Sequence, residues 1–149
     1  MTACLPRPAE EPPPIGAQLE VLRQSLAGAG PRLVCAYLFG STARDKARAG
    51  SDLDVAVLFA SDPPHTLAGL HLDLDLADDL SAATGRPVDL VVLNRAPVDL
   101  VHRVLRDGLL LLDRDRSARI RFEIRARNEY FDLLPYLQRY RHSIPEARR

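Results

Sequence analysis

Apolar and polar positions follow two periods along this chain, and the switches between them divide it into elements. Ile15, Leu19, Leu22 and Leu26 recur at helical spacing, which predicts a helix over 15–29 stopped by Gly28 and Gly30-Pro31. Residues 32–39 form a short apolar run containing Val, Tyr and Phe, which reads as a strand. Gly40-Ser41 then turns the chain, with Ser41 as the N-cap of a short helix over 42–47 and Ala49-Gly50-Ser51 as a loop. Residues 53–60 are continuously apolar, the mark of a strand buried on both faces. Ser61-Asp62-Pro63-Pro64 ends that strand and opens a helix. Its apolar positions, Leu67, Leu70, Leu74 and Ala77 with Leu72, Leu76 and Leu80 beside them, carry it to Ala83. The acids Asp73, Asp75, Asp78 and Asp79 read as its solvated face, and Gly85 as its cap. A third strand over 88–93, a helix from Pro97 through Arg106 and a fourth strand over 109–112 complete the series.

From Asp115 on the pattern is helical again. Phe122, Ala126, Leu133, Leu137 and Tyr140 define one apolar face, and Ile120, Ile124, Phe131 and Leu134 a second. Pro135 removes a helical hydrogen bond and is expected to kink or divide this element. Two stripes on one terminal helix leave two arrangements open: one stripe on the body and the other on a partner, or a long helix wrapped over its own sheet. The alternation of strands and helices predicts an α+β fold, a small mixed β-sheet of about four strands with helices packed on it, plus a C-terminal helix. Residues 1–14, with five prolines, read as a disordered leader, 15–113 as the folded domain and 114–149 as a helical extension.

Charge changes this picture in one place. The formal net charge is zero, so no global field draws the chain to nucleic acid or a membrane surface. Residues 114–149, however, hold ten arginines against five acids, which suggests a basic tail that meets something. No apolar run reaches the length of a membrane span and no signal peptide is read, so a cytoplasmic location is the expectation. Cys4 and Cys35 make neither a disulfide framework nor a cysteine metal site, and Cys35 reads as a small core residue.

The candidate chemistry lies in 38–59. Asp52 and Asp54 straddle a strand start, and side chains two apart in a strand share a side, so both carboxylates can converge on one site. Two carboxylates that close repel each other unless a cation sits between them. Mg²⁺ suits the role, and two ions about 4 Å apart would serve the attacking and leaving oxygens of a phosphoryl transfer. Gly40 lets backbone approach a phosphate, and Ser41 offers a hydroxyl. Arg44, Lys46 and Arg48 read either as triphosphate contacts or as a solvated basic loop. Asp89, set in the apolar run 88–93, reads either as a third member of the site or as a strand-start acid facing solvent.

Gly40-Ser41, ten intervening residues and then Asp52-Leu53-Asp54 before an apolar strand resemble the signature of the nucleotidyltransferase superfamily related to DNA polymerase beta. Arg86-Pro87-Val88-Asp89-Leu90-Val91-Val92 resembles its third-carboxylate strand, and Gly-Ser-Thr-Ala-Arg resembles the minimal nucleotidyltransferases of prokaryotes. The resemblance implies that Gly40, Ser41 and Arg44 bind the nucleotide, and that Asp52, Asp54 and Asp89 are the catalytic, Mg²⁺-binding triad. It implies an antitoxin that adenylylates a tyrosine of a HEPN-domain RNase toxin with ATP. The tail over 120–141 is similar to the C-terminal helix of MntA-like antitoxins. Where the family often has Gly, this chain has Asp45, a negative charge near the triphosphate site. A small-molecule nucleotidyltransferase of the aminoglycoside type, and an antitoxin that acts by occlusion alone, are the other readings. The full set of carboxylates argues against the second.

Overall fold

A computed structural model describes residues 15–44, 50–61 and 67–143 of the chain. The expected leader over 1–14, and Asp45, Lys46 and Arg48, lie outside the described residues. The described elements are α1 (Ile15–Ala27), β1 (Leu33–Phe39), α2 (Gly40–Ala43), β2 (Leu53–Phe59), α3 (Leu67–Thr84), β3 (Val88–Val92), α4 (Val98–Asp107), β4 (Leu109–Asp113) and α5 (Arg116–Ser143). This is an α+β fold around one mixed sheet.

The strand order is β3-β2-β1-β4. β1 pairs antiparallel with both β2 and β4, while β2 and β3 run parallel, joined by the crossover through α3. The two-residue period of β2 sorts its side chains between two cores. Leu53, Val55 and Val57 pack with Leu22 and Leu26 of α1 and Leu80 of α3. Ala56 and Leu58 pack with Val101 and Val104 of α4 and Phe122 and Ala126 of α5. The expectation that this strand is buried on both faces is met along most of its length. At its far end Asn94 closes the sheet, since Phe59 N–H donates to Asn94 Oδ1 and Asn94 Nδ2 donates back to the Phe59 carbonyl, each at 2.9 Å. No described helix is long and apolar enough to cross a membrane.

Four expectations need correction. Ser41 is not an N-cap: Gly40, at φ 77°, turns the chain sharply enough that α2 starts at Gly40 itself, with Phe39 at the cap position and no side-chain cap. Asp73 is not simply solvated, because its carboxylate pairs with the Arg95 guanidinium beyond β3. Pro135 does not divide the terminal helix, which runs through it for 28 residues. One lost hydrogen bond is outweighed by the intact turns on either side. Finally, the first stripe of that helix does not stay on one surface. Phe122 and Ala126 are buried against the sheet, yet Leu133 and Tyr140 of the same stripe are exposed. The body simply ends beneath them, so α5 leaves the core after about its first half.

α5 is fixed where it lies on the body. Asp115 Oδ1 accepts the Ala118 N–H at 2.9 Å, a side-chain cap for the first turn. Tyr37 on β1 donates its hydroxyl to Glu123 at 2.7 Å. Arg119 bridges Glu123 at 2.7 Å and Asp113 at 2.9 Å, so the strand end and the helix share one charged network. Further along, the Tyr130 ring stacks flat on His102 of α4, with centroids 3.6 Å apart.

Candidate active site

The three acids singled out in the sequence come together at the front ends of β2 and β3. In the parallel ladder Asp54 stands opposite Asp89, and Leu53 opposite Val88. Asp54 and Asp89 therefore project on the same side, the side on which Ala56, Leu58 and Val91 meet α4 and α5. Asp52 is one residue before β2 and two from Asp54, so it reaches that side too. Asp52 and Asp89 are exposed and Asp54 is half-buried. Asp89 thus faces solvent and at the same time stands beside Asp54.

The electrostatics follow from this grouping. Asp54's carboxyl is held above its ordinary value, first by burial, then by repulsion from Asp89 and from Asp52. A cation between these groups would relieve that repulsion. No three described His, Cys, Asp or Glu side chains form a ready-made cage for an ion. Mg²⁺ does not need one, since it is commonly held by one or two carboxylates with water and substrate phosphates filling the other positions. An open, hard-oxygen set of neighbouring carboxylates fits that ion.

Gly40 closes the site from the β1 side. Phe39 pairs with Asp54 across the sheet, so the turn after β1 lies against that carboxylate. A Cβ on Gly40 would stand 2.2 Å from Asp54 Oδ2, a distance at which one of them must move. The glycine is needed twice, for its left-handed φ and for this approach. Ser41 is half-buried in α2, and exposed Arg44 folds back so that its Nε donates to the Gly40 carbonyl at 3.3 Å. Of the nucleotide-binding candidates, Gly40 thus borders a carboxylate, with Ser41 and Arg44 following it in the chain. Thr42, one residue after Ser41, is buried, and its hydroxyl has no hydrogen-bond partner among the described residues.

Sequence reasoning missed two residues beneath the site. Arg86 is 8% exposed and Gln18 only 3%. Arg86 Nη1 donates to Gln18 Oε1 at 2.7 Å, and its Nη2 donates to the carbonyl of Ser51, the residue before Asp52. A signal for Gln18 was present: it stands one helical repeat ahead of Leu22 and Leu26, a polar residue in an apolar stripe. For Arg86, next to Pro87, no pattern pointed to burial.

Comparison with known proteins supplies a frame for this geometry. The pattern of the "Polymerase beta, Nucleotidyltransferase" family matches residues 23–117. Among solved structures, a toxin–antitoxin complex with AMP-PNP is similar at 27% identity and a TM-score of 0.69, over 82% of this chain and 94% of that one. A tri-AMPylated HEPN toxin in complex with MNT antitoxin, from Shewanella oneidensis, is similar at 25% identity and 0.67, over 85% and 95%. The MntA–HepT toxin–antitoxin is similar at 26% and 0.65, over 84% and 94%. A comparison with curated proteins gave no match.

Proposed function

Because the chain belongs to the polymerase beta nucleotidyltransferase family, we propose that it is an antitoxin that transfers AMP from ATP to a tyrosine of a cognate HEPN-domain toxin, with Mg²⁺ held by its carboxylates. The observation that carries the reading is the register of Asp54 against Asp89, with Gly40 packed on Asp54, in a chain whose similarity spans 95% of the length of one from the complex of an MNT antitoxin with a tri-AMPylated HEPN toxin.

The roles follow from position. Asp52 and Asp54 would hold the metal, which supplies positive charge to the phosphates and lowers the pKa of the attacking hydroxyl. Gly40 leaves room for the Asp54 carboxylate itself, and Ser41 and Arg44, next along the chain, offer a hydroxyl and a guanidinium to the phosphates. Asp89, exposed at the outer strand, is open to an incoming acceptor and takes the proton of the tyrosine hydroxyl. The phenol oxygen then bonds to the α-phosphorus, the bond to the β-phosphate breaks, and pyrophosphate leaves. The acceptor protein docks on the outer face of α5, where Ile120, Ile124 and Phe131 are exposed among arginines.

The test is mass spectrometry of a HEPN partner after incubation with this chain, ATP and Mg²⁺. The expected result is added AMP on tyrosine, lost when Asp52 and Asp54 are both replaced by Ala. An unmodified partner that is nonetheless inhibited would instead point to neutralisation by occlusion.

A further inference from the structure

We infer that Arg86 is a positioning residue for the carboxylate site, holding the segment that carries Asp52 in place without touching the substrate. The inference rests on the carboxylates acting as proposed above.

Asp52 lies outside the ladder of β2, so the sheet alone does not fix its backbone. Two bonds fix it instead. The Leu53 N–H donates to the Pro87 carbonyl at 2.9 Å, and the Arg86 guanidinium donates to the Ser51 carbonyl. Asp52 is therefore held on both sides by consecutive residues, Arg86 and Pro87, of the neighbouring connection. Asp89 follows two residues after Pro87. One short clamp thus sets the approach of the segments that carry all three acids.

Arg86 is in turn held from the other side. Its second arm reaches Gln18 on α1, and the turn it sits in is stitched by Thr84, whose hydroxyl accepts the Arg86 N–H at 3.4 Å and donates to the Leu80 carbonyl at 2.8 Å. A guanidinium offers donors in a fixed planar fork, so it can satisfy two acceptors in different directions; a lysine ammonium is a single compact head. Burying that charge is costly. It makes sense where a carbonyl next to a functional carboxylate must not drift. Slippage there would be expensive, because a one-residue shift between β2 and β3 would turn Asp89 away from Asp54.

The experiment measures Mn²⁺ binding by water-proton relaxation in the presence of AMP-PNP, far below the unfolding midpoint. Arg86→Met and Gln18→Leu are compared with the parent, with Asp52→Asn as the control. Groups that orient metal ligands typically contribute about 10- to 100-fold in metal affinity or activity. Folded Arg86→Met should bind Mn²⁺ weaker by that factor and lower kcat with little change in KM for ATP. Gln18→Leu should show a smaller loss, and Arg86→Lys should recover part of the binding. A merely structural role would shift the unfolding midpoint and leave Mn²⁺ affinity unchanged. If Asp52→Asn binds the ion like the parent, the reading of the site fails and this inference with it. If Asp52→Asn loses the ion while Arg86→Met and Gln18→Leu keep parental affinity, the clamp alone is refuted. Should Arg86→Met not fold, Gln18→Leu decides: unchanged affinity there overturns the role given to Arg86.

Discussion

Gly40 and Asp54 are in contact so close that the glycine's missing side chain is part of the site: a Cβ there would meet Asp54 Oδ2 at 2.2 Å. Gly40→Ala should therefore act in two ways. It forces an L-residue to φ 77°, at a cost of about 1–2 kcal/mol. It also displaces the carboxylate, and a shift of that kind in a catalytic group can lower transfer about 100-fold. Thermal unfolding and AMP transfer from labelled ATP read the two effects separately. Parental transfer by a folded variant would show that Asp54 need not sit where it does.

Asp54 also predicts a pH dependence. Its folded pKa is raised by burial, Asp89 and Asp52, so the folded chain binds this proton more tightly than the unfolded chain. The associated stability is full below the ordinary value of 3.8 and is lost as pH rises through the raised one. Asp54→Asn does not ionise. With chelator present it should be more stable than the parent at neutral pH, and the gap should close on acidification. Urea unfolding across that range checks it, and a gap independent of pH would contradict the assigned cause. The same variant should lose transfer.

The link from Tyr37 to Glu123 predicts how α5 is held. Burial, with Cys35 and Glu123 nearby, pushes the Tyr37 phenol up, so it stays a donor at any ordinary pH. Tyr37→Phe removes one hydrogen bond and should cost about 1 kcal/mol. Glu123→Leu strands both Tyr37 and one arm of Arg119 and should cost about 1–3 kcal/mol. Denaturant titration of both variants gives the comparison; equal losses would mean that Arg119 does not depend on Glu123.

Cys35 should be chemically silent in the folded chain. It is buried, and burial pushes its thiol up to about 12, against a partial opposing effect of Tyr37. In a Cys4→Ser background, alkylation at mildly alkaline pH should proceed only as fast as unfolding. Rapid labelling under native conditions would contradict this burial.

The outer face of α5 is the proposed docking surface, and Ile120, Ile124 and Phe131 on it are 37%, 54% and 60% exposed. Replacing all three by Asp should weaken capture of the HEPN partner by at least about 10-fold, or 1.4 kcal/mol, without lowering the unfolding midpoint. Truncation at Asp113 is a poorer test, because it also removes Phe122 and Ala126 from the core. Undiminished capture by the triple variant would move the interface elsewhere.

Much of this protein was readable in one dimension. Burial imposes a period of two on strands and near 3.6 on helices, so the order of elements from α1 to α5 could be read directly from spacing. Asp52-Leu53-Asp54 was legible for a similar reason, since an i, i+2 pair shares a side whatever the rest of the chain does. The tertiary structure decided what depends on which distant segments meet. The parallel pairing of β3 with β2 brings Asp89 beside Asp54, and the pairing of Phe39 with Asp54 lays Gly40 against the carboxylate. Arg86 looked like an ordinary turn arginine until α1 and the segment before β2 supplied acceptors on two sides. The stripes of α5 were drawn correctly as periodicity but not as burial, because the sequence records a helix's faces and not where the body beneath it ends.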